Sequence, residues 1–154
     1  MTARPSRPPA RLPSGVQVVR AQAPTVAFYR FVYHEVGNQW IWTDRKRMSD
    51  AALKAVIEDP RIEIETLWVD GVPAGFAELD YRRRPQMELA YFGLMTPFIG
   101  RGLGRIFLEW VIDRAWQRPI SRLDVHTCTL DHPSALANYK RRGFAAYRTV
   151  EEMW

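Results

Sequence analysis

The chain has 154 residues, of which 47% are hydrophobic and 12% aromatic, and its formal net charge is +5. This apolar content excludes disorder for most of the chain, and the length suits one domain with a substantial core. Arg4, Arg7 and Arg11 carry much of the excess charge, so the remainder has a net charge of about +2, which indicates no nucleic-acid partner.

The first 14 residues are rich in Pro and Arg and contain no apolar run, which predicts a flexible tail rather than a signal peptide. Residues 15–154 are expected to form a single domain. No stretch approaches about 20 apolar residues, so no membrane span is predicted. Cys128 stands alone, which excludes an intrachain disulfide and favours a cytoplasmic location. We expect Cys128 to be a small buried residue, and the three histidines lack the spacing of metal ligands.

The first third of the chain predicts one short strand and two helices. β-branched residues favour a strand at residues 16–20. Helical spacing of apolar residues begins near Pro24 and stops at Gly37. A second helix is predicted over residues 49–59, with Ser49 as its N-cap, after a loop over residues 38–47 that is rich in tryptophan. The apolar face of the first helix is expected to contain Val26, Tyr29, Phe31, Val32 and Val36.

The middle of the chain changes to a period of two, which is typical of strands. Residues 62–69 and 72–80 flank Asp70-Gly71, a strong hairpin sequence. Pro85 lies in a second connection, and residues 87–95 form the next strand. These segments predict a meander of three antiparallel strands.

The last third combines helices and strands. Residues 102–117 predict an amphipathic helix, and the strand at residues 120–127 should run parallel to the 87–95 strand because a helix connects them. A helix at residues 133–142 ends at Gly143, and a terminal strand is expected at residues 144–154. The predicted fold class is α+β with a mixed, mostly antiparallel sheet.

A glycine-rich turn separates the 87–95 strand from the following helix. Gly100, Gly102 and Gly104 permit close approach to the backbone, and the free N–H groups of the helix can bind phosphate oxygens. A P-loop is excluded because the chain has no Gly-Lys pair, and the dinucleotide fingerprint fails because Arg105 stands where its last glycine belongs. The alternative is a tight turn with a purely structural role.

Two motifs in this region resemble those of the GNAT superfamily of acetyl-CoA-dependent N-acetyltransferases. Residues 99–104, Ile-Gly-Arg-Gly-Leu-Gly, are similar to its [Gln/Arg]-x-x-Gly-x-[Gly/Ala] turn, with Ile99 in place of the polar residue. Residues 132–144, His-Pro-Ser-Ala-Leu-Ala-Asn-Tyr-Lys-Arg-Arg-Gly-Phe, are similar to its Asn-Pro-x-Ala-x-x-x-Tyr-x-Lys-x-Gly-Phe helix, with His132 in place of Asn. The resemblance implies helices on both faces of the sheet, parallel and splayed fourth and fifth strands, acetyl-CoA as co-substrate and a possible homodimer.

The resemblance also implies two catalytic residues. Glu88 lies thirteen residues before Arg101, the spacing of family members whose base is a glutamate on the fourth strand. It should share a strand face with Ala90, Phe92 and Leu94, and partial burial would raise its pKa. The alternative is an ion pair with an arginine of residues 82–84. Tyr139 matches the family's general acid, and its alternative is a tyrosine that packs on the core.

The cofactor-binding residues are implied in the same way. The N–H of Phe92 would polarise the acetyl carbonyl, Leu94 would pair with the pantetheine arm, and Gly93 leaves room for it. The pyrophosphate is expected at the turn formed by Gly100, Arg101, Gly102, Leu103 and Gly104. His132 would contact the pantetheine, and Arg141 would meet the 3′-phosphate or lie on a solvated helix face.

The acceptor pocket of the family lies between the first two helices, where this chain has Tyr33, Trp40 and Trp42. These residues are either core or an aromatic wall for an amine with an apolar part. The resemblance therefore implies acetyl transfer to a primary amine of a small molecule or a protein in a ternary complex, and no metal is expected. Two alternatives are a non-catalytic acyl-CoA-binding module and an interaction domain.

Overall fold

A computed structural model describes residues 1–127 and 131–147 of the chain. Within these residues there are five strands, four α-helices and two short 3₁₀ turns, Asn38–Trp40 and Thr96–Phe98. The elements in chain order are β1 (Val16–Arg20), α1 (Val26–Gly37), α2 (Asp50–Ile57), β2 (Ile62–Val69), β3 (Val72–Asp80), β4 (Gln86–Leu94), α3 (Leu103–Ala115), β5 (Arg122–Val125) and α4 (Ala135–Arg141).

The strands form one sheet in the order β1-β2-β3-β4-β5. The first four strands pair antiparallel with one another, whereas β5 runs parallel to β4 because α3 connects them. Pairing between β4 and β5 ends at Leu89 and Val125, although β4 continues to Leu94. The predicted α+β fold with parallel, splayed fourth and fifth strands is therefore confirmed.

The helices pack on both faces of the sheet, as expected. On one face, Phe107 of α3 and Tyr139 of α4 join a core that includes Leu79 of β3. On the other face, the core around Phe76 of β3 contains Leu53 of α2 and residues of α1. The sheet is thus the middle layer of three, which holds the loops at its end in place.

Local sequence explains where the first two helices begin. Thr25 Oγ1 accepts a hydrogen bond from Phe28 N at 3.1 Å, and Ser49 Oγ accepts one from Ala52 N at 3.1 Å. The predicted N-cap at Ser49 is confirmed. Phe31 was expected on the buried face of α1, but it is 46% exposed because it lies about 200° around the helix from Tyr29.

A β-bulge interrupts the pairing of β3 with β4. Glu78 pairs with Tyr91, whereas the next residue, Leu79, pairs with Leu89, so Ala90 is an extra residue in β4. An extra residue reverses the alternation of side chains between the two faces of the sheet. The side chains of β4 beyond the bulge therefore point to the opposite face of the sheet from the one that strict alternation predicts.

Because of the bulge, the prediction that Glu88 shares a strand face with Phe92 is wrong. Phe92 stacks on Phe107 of α3 at 5.3 Å between ring centroids, whereas Tyr91 meets Tyr33 of α1 at 5.2 Å. Glu88 precedes the bulge and follows Met87, a residue of the α3 core, so it lies on the α1 face. Glu88 shares its face with Tyr91 and not with Phe92, because Ala90 adds one residue between them.

The segment before β1, predicted as a flexible tail, contains no helix or strand but contacts the folded domain. Leu123 N of β5 donates a hydrogen bond to Met1 O at 2.8 Å. Arg7 forms an ion pair with Asp113 of α3 at 3.2 Å, and Ala10 N donates to the same carboxylate at 2.7 Å. Residues 1–14 therefore lie along α3 and β5 in this structure.

The end of the chain is described in part. Residues 144–147 form no strand, and the rest of the predicted terminal strand lies outside the described residues, as does Cys128. The strand predicted over residues 120–127 is shorter than expected and stops at Val125. Among the helices that the structure describes, none has the length and apolarity needed to cross a membrane.

Candidate active site

A cleft of about 650 Å³ opens where β4 and β5 separate. It brings together most of the residues singled out in the sequence. Those that line it are Tyr33, Trp40, Trp42, Glu88, Phe92, Gly93, Leu94, Gly100, Gly104, His132, Tyr139 and Arg141. Arg101, Gly102 and Leu103 belong to the turn at its edge without lining the cleft. Residues distant in the chain meet here because the sheet edge, the glycine turn and α4 converge.

The backbone of β4 has an unpaired edge in this cleft. Met95 N donates a hydrogen bond to Ala74 O of β3 at 2.7 Å, and the carbonyl oxygen of Gly93 also points at β3. Because backbone groups alternate along a strand, those of Phe92 and Leu94 point to the opposite side, where pairing with β5 has already ended. Their N–H and C=O groups are therefore available to a ligand.

The glycine turn leaves open space in front of α3. Gly100 and Gly102 have φ values of +85° and +77°, the left-handed region that other residues rarely adopt. A Cβ atom added to either glycine would meet no heavy atom within 4 Å. Gly102 is the N-cap of α3 and supplies no side-chain cap, so the first N–H groups of this 13-residue helix have no side-chain acceptor there.

Two other residues of the turn direct their side chains away from this space. Arg101 lies over the ring of Phe98, with 5.2 Å between its Cζ and the ring centroid. Leu103 is 7% exposed and belongs to the core beneath α3. At these two positions it is the backbone N–H group, and not the side chain, that can bind an anion.

Glu88 is exposed to the cleft and makes no ion pair within the described residues. The alternative role, an ion pair with an arginine of residues 82–84, is not formed: Arg82 binds Asp80 at 2.8 Å, and Arg83 acts on Glu88 only through its charge. The protein around Glu88 excludes part of the water, and this desolvation, followed by the charge of Asp80, raises the pKa of Glu88 above its ordinary value. A carboxylate in this state is a stronger base than an ordinary one.

Tyr139 is 7% exposed, with its ring packed edge-on against Phe92 and Phe144 at 6.2 and 5.9 Å between centroids. Its hydroxyl makes no hydrogen bond to the described residues. Burial, followed by the charge of Asp131, raises the pKa of Tyr139, so the phenol stays protonated at neutral pH. Tyr139 therefore packs its ring in the core, as the alternative role requires, and also lines the cleft, as a general acid must.

The start of α4 contacts the chain after α1 across the cleft. The ring of His132 lies 5.0 Å from that of Trp40, and its Nδ1 accepts a hydrogen bond from Ser134 N at 3.1 Å. Trp42 Nε1 donates to Asp131 Oδ1 at 3.4 Å. The two tryptophans predicted for the acceptor pocket thus join the segment after α1 to the segment before α4, and His132 has one ring nitrogen engaged locally.

An aromatic cluster lies beside Glu88. Tyr91 contacts Tyr33 and Trp42 with centroid distances of 5.2 and 5.3 Å, and Tyr33 is 1% exposed. The guanidinium of Arg45 lies 5.3 Å from the centre of the Tyr91 ring. Tyr33 and Trp42 are therefore both core residues and part of the cleft wall, so the two readings of their role are compatible.

A buried polar network, which was not predicted from the sequence, supports this wall. Glu78 is fully buried, accepts a hydrogen bond from Tyr29 Oη at 2.5 Å and binds Arg45 Nη2 at 2.6 Å. A charged residue between Ala77 and Leu79 of an apolar strand was the available signal. Its partner Arg45 could not be identified, because 33 residues separate the two.

Two further features complete the cleft. Arg141 has an exposed side chain on its wall, which leaves both roles considered for it open. No group of three or more His, Cys, Asp or Glu residues suited to a metal ion occurs in the part of the chain that the structure describes.

Comparison with known proteins identifies the fold and the family. An aminoglycoside acetyltransferase from an uncultured soil metagenomic sample, solved in complex with trehalose, has a TM-score of 0.71 and 10% identity, with 91% of this chain and 95% of that chain covered. A ribosomal-protein-alanine N-acetyltransferase from Brucella melitensis biovar Abortus 2308 has a TM-score of 0.66 and 14% identity, covering 90% and 98%. A transcriptional regulator from Bacillus halodurans C-125 has a TM-score of 0.67 and 18% identity, covering 90% and 99%.

At these identities the structural matches establish the fold alone. A search among curated proteins gave no significant sequence match. The model of the acetyltransferase (GNAT) family matches residues 29–144, which is most of the chain and includes both motifs. The chain therefore belongs to the GNAT acetyltransferase family and is an acyltransferase.

Proposed function

We propose that this enzyme transfers an acetyl group from acetyl-CoA to a primary amine that binds in the same cleft. The observation that carries the proposal is the unpaired edge of β4 at Phe92 and Leu94, which opens into the cleft beside the uncapped start of α3. An extended amide-bearing arm can pair with such an edge, and a phosphate group can bind at such a helix start.

The residues present suit acetyl-CoA. Phe92 and Leu94 would hold the pantetheine arm through their backbone groups, and the turn at Gly100 and Gly102 would hold the pyrophosphate, with open space where side chains would otherwise stand. The exposed Arg141 is suited to a further phosphate group. When bound, acetyl-CoA supplies an acetyl thioester. The protein supplies the groups that position the reactants and that accept and donate protons.

Glu88 is the proposed general base. The acceptor amine is protonated at neutral pH and must lose a proton before it can attack. None of the described residues forms an ion pair with the carboxylate of Glu88, and its raised pKa increases its basicity. It takes the proton at its carboxylate, directly or through water.

Tyr139 is the proposed general acid. Its phenol holds a proton that a departing thiolate requires, and Phe92 and Phe144 fix the ring in one position. The raised pKa of Tyr139 keeps the proton on Oη throughout the neutral range. The two proton carriers therefore lie in one cleft on separate elements, β4 and α4.

An amine acceptor agrees with the chemistry of similarly folded proteins. One is named an aminoglycoside acetyltransferase and another a ribosomal-protein-alanine N-acetyltransferase, so this fold accommodates both small-molecule and protein acceptors. We retain both possibilities for this enzyme. The cytoplasmic location and the possible homodimer stay predictions from the sequence.

Two measurements test the proposal in sequence. Coenzyme A at millimolar concentration should raise the Tm of the full chain, because a ligand that binds the folded state stabilises it. Acetyl-CoA should then release free thiol when amines and peptides are supplied as acceptors. No change in Tm would contradict the cofactor site, whereas a raised Tm without turnover of any acceptor would indicate a non-catalytic acyl-CoA-binding module.

A further inference from the structure

Ile41 has an unusual backbone conformation at the mouth of the cleft. Its φ and ψ are 57° and 44°, the left-handed region, where a β-branched side chain is disfavoured. The residue is 62% exposed and lines the cleft. An apolar residue that has a disfavoured backbone conformation and is exposed to water contributes little to the stability of the folded state. Such strain is found at binding sites, where the position of a side chain matters for ligand binding and the strained backbone is tolerated despite its free-energy cost.

The residues on either side hold Ile41 in this position. Trp40 packs against His132, and Trp42 Nε1 donates to Asp131 Oδ1. Trp42 N also donates to Gly37 O at 3.2 Å, which closes the backbone around Ile41. The segment is therefore anchored at both ends, and Ile41 lies between two residues that line the cleft.

The charges near Ile41 indicate which ligand it meets. Arg45 is neutralised by Glu78, and Arg82 binds Asp80. At this end of the cleft, Asp44 and Glu88 form no ion pair with the described residues. Asp131, which also lines the cleft, is engaged by Trp42 Nε1 and Thr127 Oγ1. Because Glu88 is assigned to the proton of the reacting amine, Asp44 is the exposed carboxylate that could meet a further positive charge.

A polycation would need several unpaired carboxylates, and this end of the cleft instead offers Ile41 and the rings of Trp40, Trp42 and Tyr91. We propose that the acceptor is a primary amine with a single positive charge and an apolar body, and that Ile41 determines this specificity by contact with that body. This inference rests on the proposed acetyltransferase function.

The first test compares acceptors with the wild-type enzyme. The probes are 2-phenylethylamine, ethylamine and 1,4-diaminobutane, which differ in their apolar body and charge, with release of thiol from acetyl-CoA as readout. We expect kcat/KM for 2-phenylethylamine to exceed those of the other two by about tenfold or more, the change produced by burial of an apolar group. A preference for the diamine, or equal rates for all three, would overturn the proposal while leaving the acetyltransferase function intact.

The second test uses Ile41→Asn and Ile41→Gly, which both suit the left-handed conformation. Both variants should keep or raise the Tm, because they relieve strain. They should raise the KM for 2-phenylethylamine about tenfold or more and leave the KM values for ethylamine and acetyl-CoA unchanged. A purely structural role for Ile41 would instead change Tm without changing the preference among amines.

Asp70 provides the matched control. It has a φ of 50° in the β2–β3 hairpin and does not line the cleft, so Asp70→Gly relieves similar strain at a distant position. This variant should keep the wild-type preference among amines. If Ile41→Asn and Asp70→Gly both retain that preference, Ile41 does not determine specificity. If none of the amines is acetylated, the proposed function itself fails for these acceptors, and this inference fails with it.

Discussion

Glu88 of β4 and Asp80 of β3 lie directly opposite each other, so two carboxylates share one face of the sheet inside the cleft. Like charges in such a cross-strand pair repel each other. The pKa of Glu88 is accordingly raised, first by desolvation and next by Asp80. Glu88 therefore depends on a neighbouring strand for the basicity that we propose it uses.

The pH dependence of turnover should report this pair. A general base acts when it is deprotonated, so kcat/KM should fall as the pH drops through the pKa of Glu88. Asp80→Asn removes a like charge and frees Arg82, and both changes lower that pKa. The acidic limb should therefore move to lower pH than in the wild type, measured with one amine for both enzymes so that the amine's own titration cancels.

Asp59→Asn is the control for this experiment. Asp59 binds Arg61, two residues later, as Asp80 binds Arg82, but Asp59 does not line the cleft. This variant should leave the acidic limb in place, and Glu88→Gln should abolish it together with most activity. An unmoved limb in Asp80→Asn, or a shift to higher pH, would contradict the assignment of Glu88 as the base.

Tyr139→Phe should separate catalysis from packing. The ring contacts with Phe92 and Phe144 are retained and no hydrogen bond to a described residue is lost, so the Tm should stay unchanged. Loss of the general acid should lower kcat by about 10² or more, with the affinity for coenzyme A unchanged. Tyr139→Ala, in contrast, should destabilise the fold by about 3–5 kcal/mol through the cavity it leaves. Wild-type kcat in Tyr139→Phe would show that the hydroxyl has no catalytic role.

Gly102→Ala should weaken coenzyme A binding for a reason other than instability. A Cβ at this position meets no protein atom, but it enters the space assigned to the pyrophosphate and strains a backbone with φ of +77° by about 1–2 kcal/mol. Gly71→Ala imposes the same strain in the β2–β3 hairpin, where φ is +79° and the space is also open. Calorimetry should show a loss of affinity of about tenfold or more for Gly102→Ala alone. Equal affinities in the two variants would argue against an anion site at the turn.

Glu65 should make the free energy of unfolding depend on pH. It is 1% exposed, and neither carboxylate oxygen accepts a hydrogen bond from a described residue, although Arg114 Nε lies 3.6 Å from one of them. Desolvation, followed by the charge of Glu63, outweighs Arg114 and raises the pKa of Glu65 to about 7. The folded state therefore binds a proton more tightly than the unfolded state, so stability falls as the pH rises from about 4.5 to 7. The full effect is about 3 kcal/mol.

Denaturant titrations of Glu65→Gln at two pH values test this linkage. At pH 8 the neutral side chain should stabilise the protein relative to wild type, whereas at pH 5 the two should be similar because Glu65 is then protonated. Glu63→Gln is the contrasting control, because Glu63 binds Arg114 and Arg118 as a carboxylate and its loss should be destabilising. A pH-independent difference for Glu65→Gln would contradict its raised pKa.

The fold was predictable from the sequence because its elements depend on local patterns. Alternation of apolar residues, the Asp70-Gly71 hairpin and the N-cap at Ser49 act within a few residues of each other, and their predictions are confirmed. Phe31 was placed on the wrong side of α1 because broad apolar spacing does not fix which residues face the core. The glycine turn was recognisable because left-handed backbone selects glycine.

The chemistry of the site depended on contacts that local patterns do not contain. The bulge at Ala90 moves Glu88 to the face of Tyr91, and because β4 is apolar on both faces, its sequence does not show the extra residue. Arg45 and Glu78 pair across 33 residues, and the left-handed Ile41 carries no glycine or asparagine to indicate its conformation.

The sequence by itself determined the order of the elements, the turn at the start of α3 and the two motifs of the family, since each is encoded by neighbouring residues. Only the tertiary structure decided that β5 stops pairing at Val125 while β4 continues, that Asp80 faces Glu88, and that Trp40 and Trp42 contact the segment before α4. These relationships arise from strand register and from packing between segments that are distant in the sequence. Burial and the distances between charges at such contacts depend on the whole fold and not on neighbouring residues.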